Sequence, residues 1–132
     1  MFPAVRSWQS DQVRLRCLLV DDNDAFLKAA SVLLEREGVT IAGVASTISD
    51  ALQQIDALRP DVILIDIGLG DESGFDLARR VARNGSSATV IMISTRGGAD
   101  YADLIADSPA VGFLAKSELS ARGISRLHGR TP

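Results

Sequence analysis

Residues 61–66 read Asp-Val-Ile-Leu-Ile-Asp, an uninterrupted apolar run closed by a carboxylate at each end. A strand with one wet face alternates apolar and polar side chains. A strand that is apolar at every position needs cover on both faces, which is the condition of a parallel sheet between two helical layers. Few folds offer that environment, so this segment constrains the chain more than any other.

The rest of the sequence supplies the layers. Further short apolar runs at 15–20, 39–45, 89–93 and 111–115 read as strands. Between them lie segments of helical period. The first carries Phe26, Ala29, Ala30, Leu33 and Leu34, with Asp24 as its expected cap and Gly38 as its stop. The second carries Leu52, Ile55 and Leu58, capped by Thr47 or Ser49 and closed by Pro60. The third carries Phe75, Leu77, Ala78 and Val81; 99–106 and 118–127 read as the last two. Five strands alternating with five helices predict an α/β, doubly wound, five-stranded parallel sheet, with 2-1-3-4-5 as the strand order that fits. The domain is expected over 14–128, with tails at 1–13, where Phe2 and Trp8 could dock, and at 129–132.

Composition narrows the class. With 46% hydrophobic and 23% charged residues in 132, one core can form without staples. The lone cysteine, Cys17, falls inside a predicted core strand and is read as packing, consistent with a reducing compartment, and the opening residues lack the apolar centre of a signal peptide. The net charge of −3 and the scattered basic residues argue against a nucleic-acid surface, and no apolar run is long enough for a bilayer. His128, the one histidine, is expected to be solvated and not to carry a phosphoryl group.

Ligands on such sheets sit beyond the carboxyl ends of the strands. Asp21 and Asp22 end the first strand, Asp66 the third, Ser94 and Thr95 the fourth and Lys116 the fifth. Any one of these is ordinary turn chemistry. Together, in the order 2-1-3-4-5, they bring three carboxylates, hydroxyls and an ammonium to one rim. Carboxylates that close repel one another unless a cation intervenes, and Mg²⁺ suits hard oxygen donors. One carboxylate can then attack phosphorus, giving an aspartyl phosphate, while the cations absorb the charge of the transferring oxygens.

At this point the chain resembles the receiver domain of two-component response regulators, a flavodoxin-like fold. The resemblance rests on the acidic pair Asp21-Asp22, on Asp66 within Ile65-Asp66-Ile67-Gly68-Leu69, on Gly74, Ser94 and Lys116, and on Phe113 just ahead of that lysine. It implies that Asp66 is the phosphoacceptor, with Lys116 and Ser94 holding phosphoryl oxygens. It implies that Asp21, Asp22, Asp66 and the Gly68 backbone carbonyl hold Mg²⁺ or Mn²⁺, and that Ser94 and Phe113 form the switch. The implied donor is a sensor histidine kinase, a phosphotransfer protein or a small acyl phosphate. The implied output is a cytoplasmic protein target bound on the helix 4, strand 5 and helix 5 face, near Tyr101, Leu104, Phe113 and Glu118. Catalysis on an external substrate, direct nucleic-acid binding and membrane contact are not implied; phosphorylation-dependent dimerisation is left open.

Three positions depart from the family pattern. Gly70 and Ser117 stand where proline is common, which suggests a looser loop after Asp66 and leaves the Lys116–Ser117 peptide geometry open. Thr95 replaces a small residue and is expected to narrow access. The short C-terminal remainder favours a single-domain regulator over a receiver excised from a DNA-binding one. The rival from another class is a haloacid-dehalogenase-type phosphatase, in which Asp22 would be the nucleophile and Asp24 the acid/base. It wants a downstream acidic motif that the chain lacks.

Overall fold

The computed structural model describes residues 14–129. The expected tails at 1–13, with Phe2 and Trp8, and at 130–132 lie outside the described residues. Five strands are present: β1 (Arg16–Val20), β2 (Thr40–Ala45), β3 (Val62–Asp66), β4 (Thr89–Ser94) and β5 (Gly112–Ala115). They form one parallel sheet in the order β2-β1-β3-β4-β5, as the alternation predicts. The helices are α1 (Asp24–Arg36), α2 (Ile48–Leu58), α3 (Gly74–Arg83), α4 (Ala102–Ala106) and α5 (Ala121–His128).

The two-faced burial of the central strands follows from their period of two. Leu18, Val20, Ile63, Ile65, Val90 and Met92 face one way and meet Ile48, Ala51 and Ile55 of α2 and Phe75, Leu77, Ala78 and Val81 of α3. Cys17, Leu19, Val62, Leu64, Ile91 and Ile93 face the other way and meet Leu27, Ala30 and Leu34 of α1 and Ile124 and Leu127 of α5. Each fully buried Leu, Ile or Val contributes on the order of 1.5–3 kcal/mol. Covering both faces is therefore what makes an all-apolar strand stable in water.

Several local expectations are corrected, and two left open, the cap of α2 and the Lys116–Ser117 peptide, are decided. Asn23, not Asp24, caps α1: its side chain accepts a hydrogen bond from the Phe26 amide, and Asp24 is an exposed first-turn acid. Leu27 takes the core position on α1, while Ala29 and Leu33 face solvent. Thr47 caps α2, and Ser49 lies within the helix. The segment expected as one helix at 99–106 divides into a 3-10 turn at Gly98–Tyr101 and the short α4, neither capped by a side chain. A second 3-10 turn at Lys116–Glu118 delays α5 until Ser120 caps it. His128 is not free in solvent: it is half-buried, with Nδ1 2.8 Å from the Thr89 hydroxyl. The Lys116–Ser117 peptide is trans.

Candidate functional site

The carboxyl rim of the sheet is assembled by pairing. β3 lies between β1 and β4, and β5 flanks β4, so the residues that end these strands become neighbours. The Asp21 amide donates to the Ala45 carbonyl at 3.0 Å, and the Ile67 amide to the Ile93 carbonyl at 3.0 Å, extending the ladder just past the last strand residues. Asp21 is buried, Asp22 exposed and Asp66 between the two. One carboxylate oxygen from each lies within 4.8 Å of the others.

Lys116 reaches this cluster from the end of β5. Its Nζ lies 2.5 Å from Asp21 Oδ2 and donates to Asp66 Oδ2 at 3.2 Å. The Asp21 contact is the closer, yet Asp21 Oδ2 has no aligned hydrogen-bond donor among the described residues. It is held by charge and keeps lone pairs for another cation. The other oxygen, Oδ1, accepts from the Asn23 amide at 2.9 Å. The Phe26 ring covers the ammonium from α1, with its centroid 4.3 Å from Nζ.

These surroundings set the charge states. Burial and the neighbouring Asp21 carboxylate push the Asp66 carboxyl up to about 6, and the ammonium of Lys116 only partly opposes them. Burial lowers Lys116, but the carboxylates of Asp21 and Asp66 outweigh it and hold the ammonium above its ordinary value. A half-buried carboxylate beside another, with a cation at its oxygen, can act as a nucleophile, and a hard metal would stabilise its charge. The donor set is all oxygen and fits such an ion.

The loop after β3 folds into a two-stranded hairpin, Gly68–Leu69 against Glu72–Ser73. Gly70 at its tip has φ +62°, a conformation closed to proline, and a Cβ there would lie 3.6 Å from Asp22 Oδ2. It is the positive φ at the hairpin tip, not the space beside Asp22, that calls for glycine there. Glu72 anchors the hairpin, accepting from the Ile48 amide of α2 at 2.9 Å. Gly74 follows with the tightest constraint in the region. A Cβ on it would lie 2.0 Å from the Asp66 carbonyl oxygen.

Of the remaining expected residues, Ser94 ends β4, Gly68 follows β3, and Phe113 lies within β5 opposite Met92. Ser94 is buried, and its hydroxyl accepts from the Arg96 amide at 3.1 Å; Thr95 beside it is exposed. Gly68 is exposed in the hairpin. Phe113 is half-buried beneath Gly98, where a Cβ would come within 2.8 Å of its ring. Sequence reading missed three participants. Apolar spacing alone marks Phe26, and nothing in the local sequence marks Glu72 or Gly98 as a contact. An aromatic residue in the first turn after an acidic pair is the one signal that could have flagged Phe26.

A family model of the response regulator receiver domain matches residues 17–128. The chain belongs to the response regulator receiver domain family. Among curated relatives it is 32% identical to the DNA-binding response regulator MtrA of Mycolicibacterium smegmatis, over 89% of this chain and 52% of the relative. It is 24% identical to the DNA-binding transcriptional activator EvgA of Escherichia coli K12, over 79% of this chain and 51% of the relative. The receiver therefore spans about half the length of these curated relatives. Among solved structures, the signal receiver domain of a modulated diguanylate cyclase from Desulfovibrio desulfuricans G20 superposes with a TM-score of 0.73 at 26% identity, covering 89% of this chain and 92% of that one. A CheY-like receiver from Methanospirillum hungatei JF-1 shares the fold, with a TM-score of 0.71 at 24% identity over 85% of this chain and 88% of that one.

Family membership removes the phosphatase rival. Asp24, its required acid/base, is exposed and is not one of the three acids that converge. Receivers are signalling domains of two-component response regulators. No described helix is long and apolar enough to cross a membrane.

Proposed function

We propose that this receiver is switched by phosphorylation of Asp66. The observation that carries the reading is the Asp66 carboxylate, 3.2 Å from Lys116 Nζ and within 4.8 Å of oxygens from Asp21 and Asp22. An Asp66 oxygen attacks phosphorus. With a phosphohistidine of a sensor kinase or phosphotransfer protein, the P–N bond breaks and the imidazole leaves with the electron pair. With an acyl phosphate, the P–O bond breaks and a carboxylate leaves. Attack of water on phosphorus later releases inorganic phosphate and restores the Asp66 carboxylate, so no external substrate is turned over.

Asp21, Asp22, Asp66 and the Gly68 carbonyl are the residues that would hold Mg²⁺ or Mn²⁺, which would supply charge neutralisation for the phosphoryl oxygens. Lys116 donates to one of those oxygens, and Ser94 gives up its contact with the Arg96 amide to donate to another. Phe113 follows Ser94 inward and carries the change to α4, β5 and α5, the surface for a protein target. The exposed Leu104 on α4 supports that choice of face. A phosphoryl group brings about −2 charge and three acceptor oxygens, enough differential contact to bias two states. On this reading the domain is the folded unit 14–128, acts in the cytoplasm and binds no nucleic acid itself.

Intact mass after incubation with acetyl phosphate and Mg²⁺ tests the proposal. Wild type is expected to gain a phosphoryl adduct that EDTA prevents and Asp66→Asn abolishes. An adduct that persists in Asp66→Asn would reject Asp66 as the acceptor.

A further inference from the structure

We propose that Phe26 is a positioning residue for Lys116, its ring holding the ammonium beside Asp66 without competing for hydrogen bonds. The inference rests on the reading of Asp66 as phosphoacceptor and adds a residue to that site. A lysine carries its charge on a flexible four-carbon stem with three donors. In this site Asp21 and Asp66 engage the ammonium, and both carboxylates also belong to the oxygen cluster suited to a metal. If the carboxylates turn to another cation, the lysine loses the two contacts that fix it. The ring does not turn away. Its centroid lies 4.3 Å from Nζ, within the range in which an aromatic face attracts a cation, and it offers no oxygen that could take a donor from the phosphoryl group.

The ring is itself held by a chain of contacts that begins and ends at Asp21. Asp21 Oδ1 accepts from the Asn23 amide at 2.9 Å, and Asn23 Oδ1 accepts from the Phe26 amide at 3.1 Å. The half-buried Phe26 side chain then packs against the core of the α1 face. Its ring covers Lys116, which returns to Asp21 Oδ2. The helix cap of α1 thereby sets where the ammonium rests.

A graded series of ring substitutions separates this role from simple packing. Phenylalanine analogues carrying one, two and three ring fluorines keep the shape and progressively weaken the negative face. The rate of phosphorylation by acetyl phosphate is expected to fall stepwise along the series, by about threefold at the last member, and by about fivefold in Phe26→Leu. Phe26→Tyr is expected to stay within about twofold of wild type, because its ring face is retained. Melting temperatures across the series are expected to be level. A flat rate series, or a Phe26→Leu rate equal to wild type, would overturn the proposal. A readout that needs no phosphorylation keeps the two ideas apart. The side-chain protons of Lys116 are expected to show an upfield ring-current shift in NMR spectra that Phe26→Leu removes. If that shift is present but wild type takes no phosphoryl group, the reading of Asp66 fails while the Phe26 contact stands. If the shift is absent, the contact itself is wrong.

Discussion

The strand β3 is framed by an aspartate at each end, and the two could hardly differ more. Asp61, before the amino end, is exposed, and its carboxylate accepts from the Arg16 backbone amide at 2.9 Å. Its neighbourhood is a surface hollow of about 340 Å³ bordered by Arg59, Asn84, Ser86 and His128. Asp66, at the carboxyl end, is half-buried against Asp21 and Lys116, with its carboxyl pushed up to about 6 chiefly by burial. The same residue type is an exposed strand-edge acceptor at one end and, at the other, a half-buried carboxylate bound to a lysine, the group proposed to take the phosphoryl. Parallel pairing gathers the residues that end or follow β1, β3, β4 and β5 at one rim, and in this sequence those residues include Asp21, Asp22, Thr95 and Lys116, beside Asp66 and Ser94 at the strand ends.

The largest test of that asymmetry acts on the backbone. Gly74→Ala puts a methyl group 2.0 Å from the Asp66 carbonyl oxygen, a clash with main chain that cannot rotate away. We expect a loss of about 3 kcal/mol or more in urea unfolding and little residual phosphorylation. Gly68→Ala, where a Cβ meets nothing within 4 Å, serves as the control and is expected to stay within about 0.5 kcal/mol. Equal effects at the two glycines would mean that the hairpin does not support the Asp66 backbone.

A smaller effect reads the electrostatics. In the folded metal-free protein the Asp66 carboxyl keeps its proton up to about 6, whereas in the unfolded chain it loses it near the ordinary aspartate value. Between those two points the unfolded state binds fewer protons, so stability falls as pH rises, and above about 6 the full cost of the buried charge is present. Asp66→Asn has no proton to lose. It is therefore expected to be more stable than wild type at pH 7.5, by roughly 1–3 kcal/mol, with the gain shrinking towards pH 4. Mg²⁺ should stabilise wild type more than the variant, since a ligand for the folded state raises stability in proportion to its binding. A pH-independent difference would show that neither burial nor the Asp21 carboxylate raises the Asp66 carboxyl in the folded protein.

How much of this was legible before the structure depends on which interactions carry each feature. Val62 to Ile65 announced a strand buried on both faces because apolar continuity is written locally, and the strand order followed from packing rules of wide reach. Asp21, Asp22, Asp66, Ser94 and Lys116 were legible because strand ends are chain positions, and topology turns those positions into neighbours. The positions of Phe26, Glu72 and Gly98 were not legible. Their partners are Lys116, the Ile48 amide and the Phe113 ring, each distant in sequence and fixed only by how helices seat on the sheet. The cap of α1 was misplaced by one residue for a related reason. Asn23 and Asp24 are both good caps, and the hydrogen bond from the Asn23 amide to Asp21 decides between them.

The smallest expected effect falls at the amino end, and it decides whether the two ends are independent. Asp61→Ala removes the acceptor for the Arg16 amide at the entrance to β1. The loss of one partly solvated hydrogen bond costs about 1 kcal/mol. The backbone of Asp61 stays paired with Arg16 and Thr89 in the variant, its amide donating at 2.8 Å and its carbonyl accepting at 2.9 Å, so the starts of β1, β3 and β4 keep their places. Phosphorylation by acetyl phosphate is therefore expected to proceed at the wild-type rate in Asp61→Ala. Cys17 gives a local control. Its thiol is pushed up to about 12, first by burial and then by Asp61, so the same variant should ease that thiol downwards while burial keeps it unreactive. A phosphorylation rate that fell along with the stability would mean that β3 transmits strain from one aspartate to the other, and the difference between the two ends would then be one of degree rather than of kind.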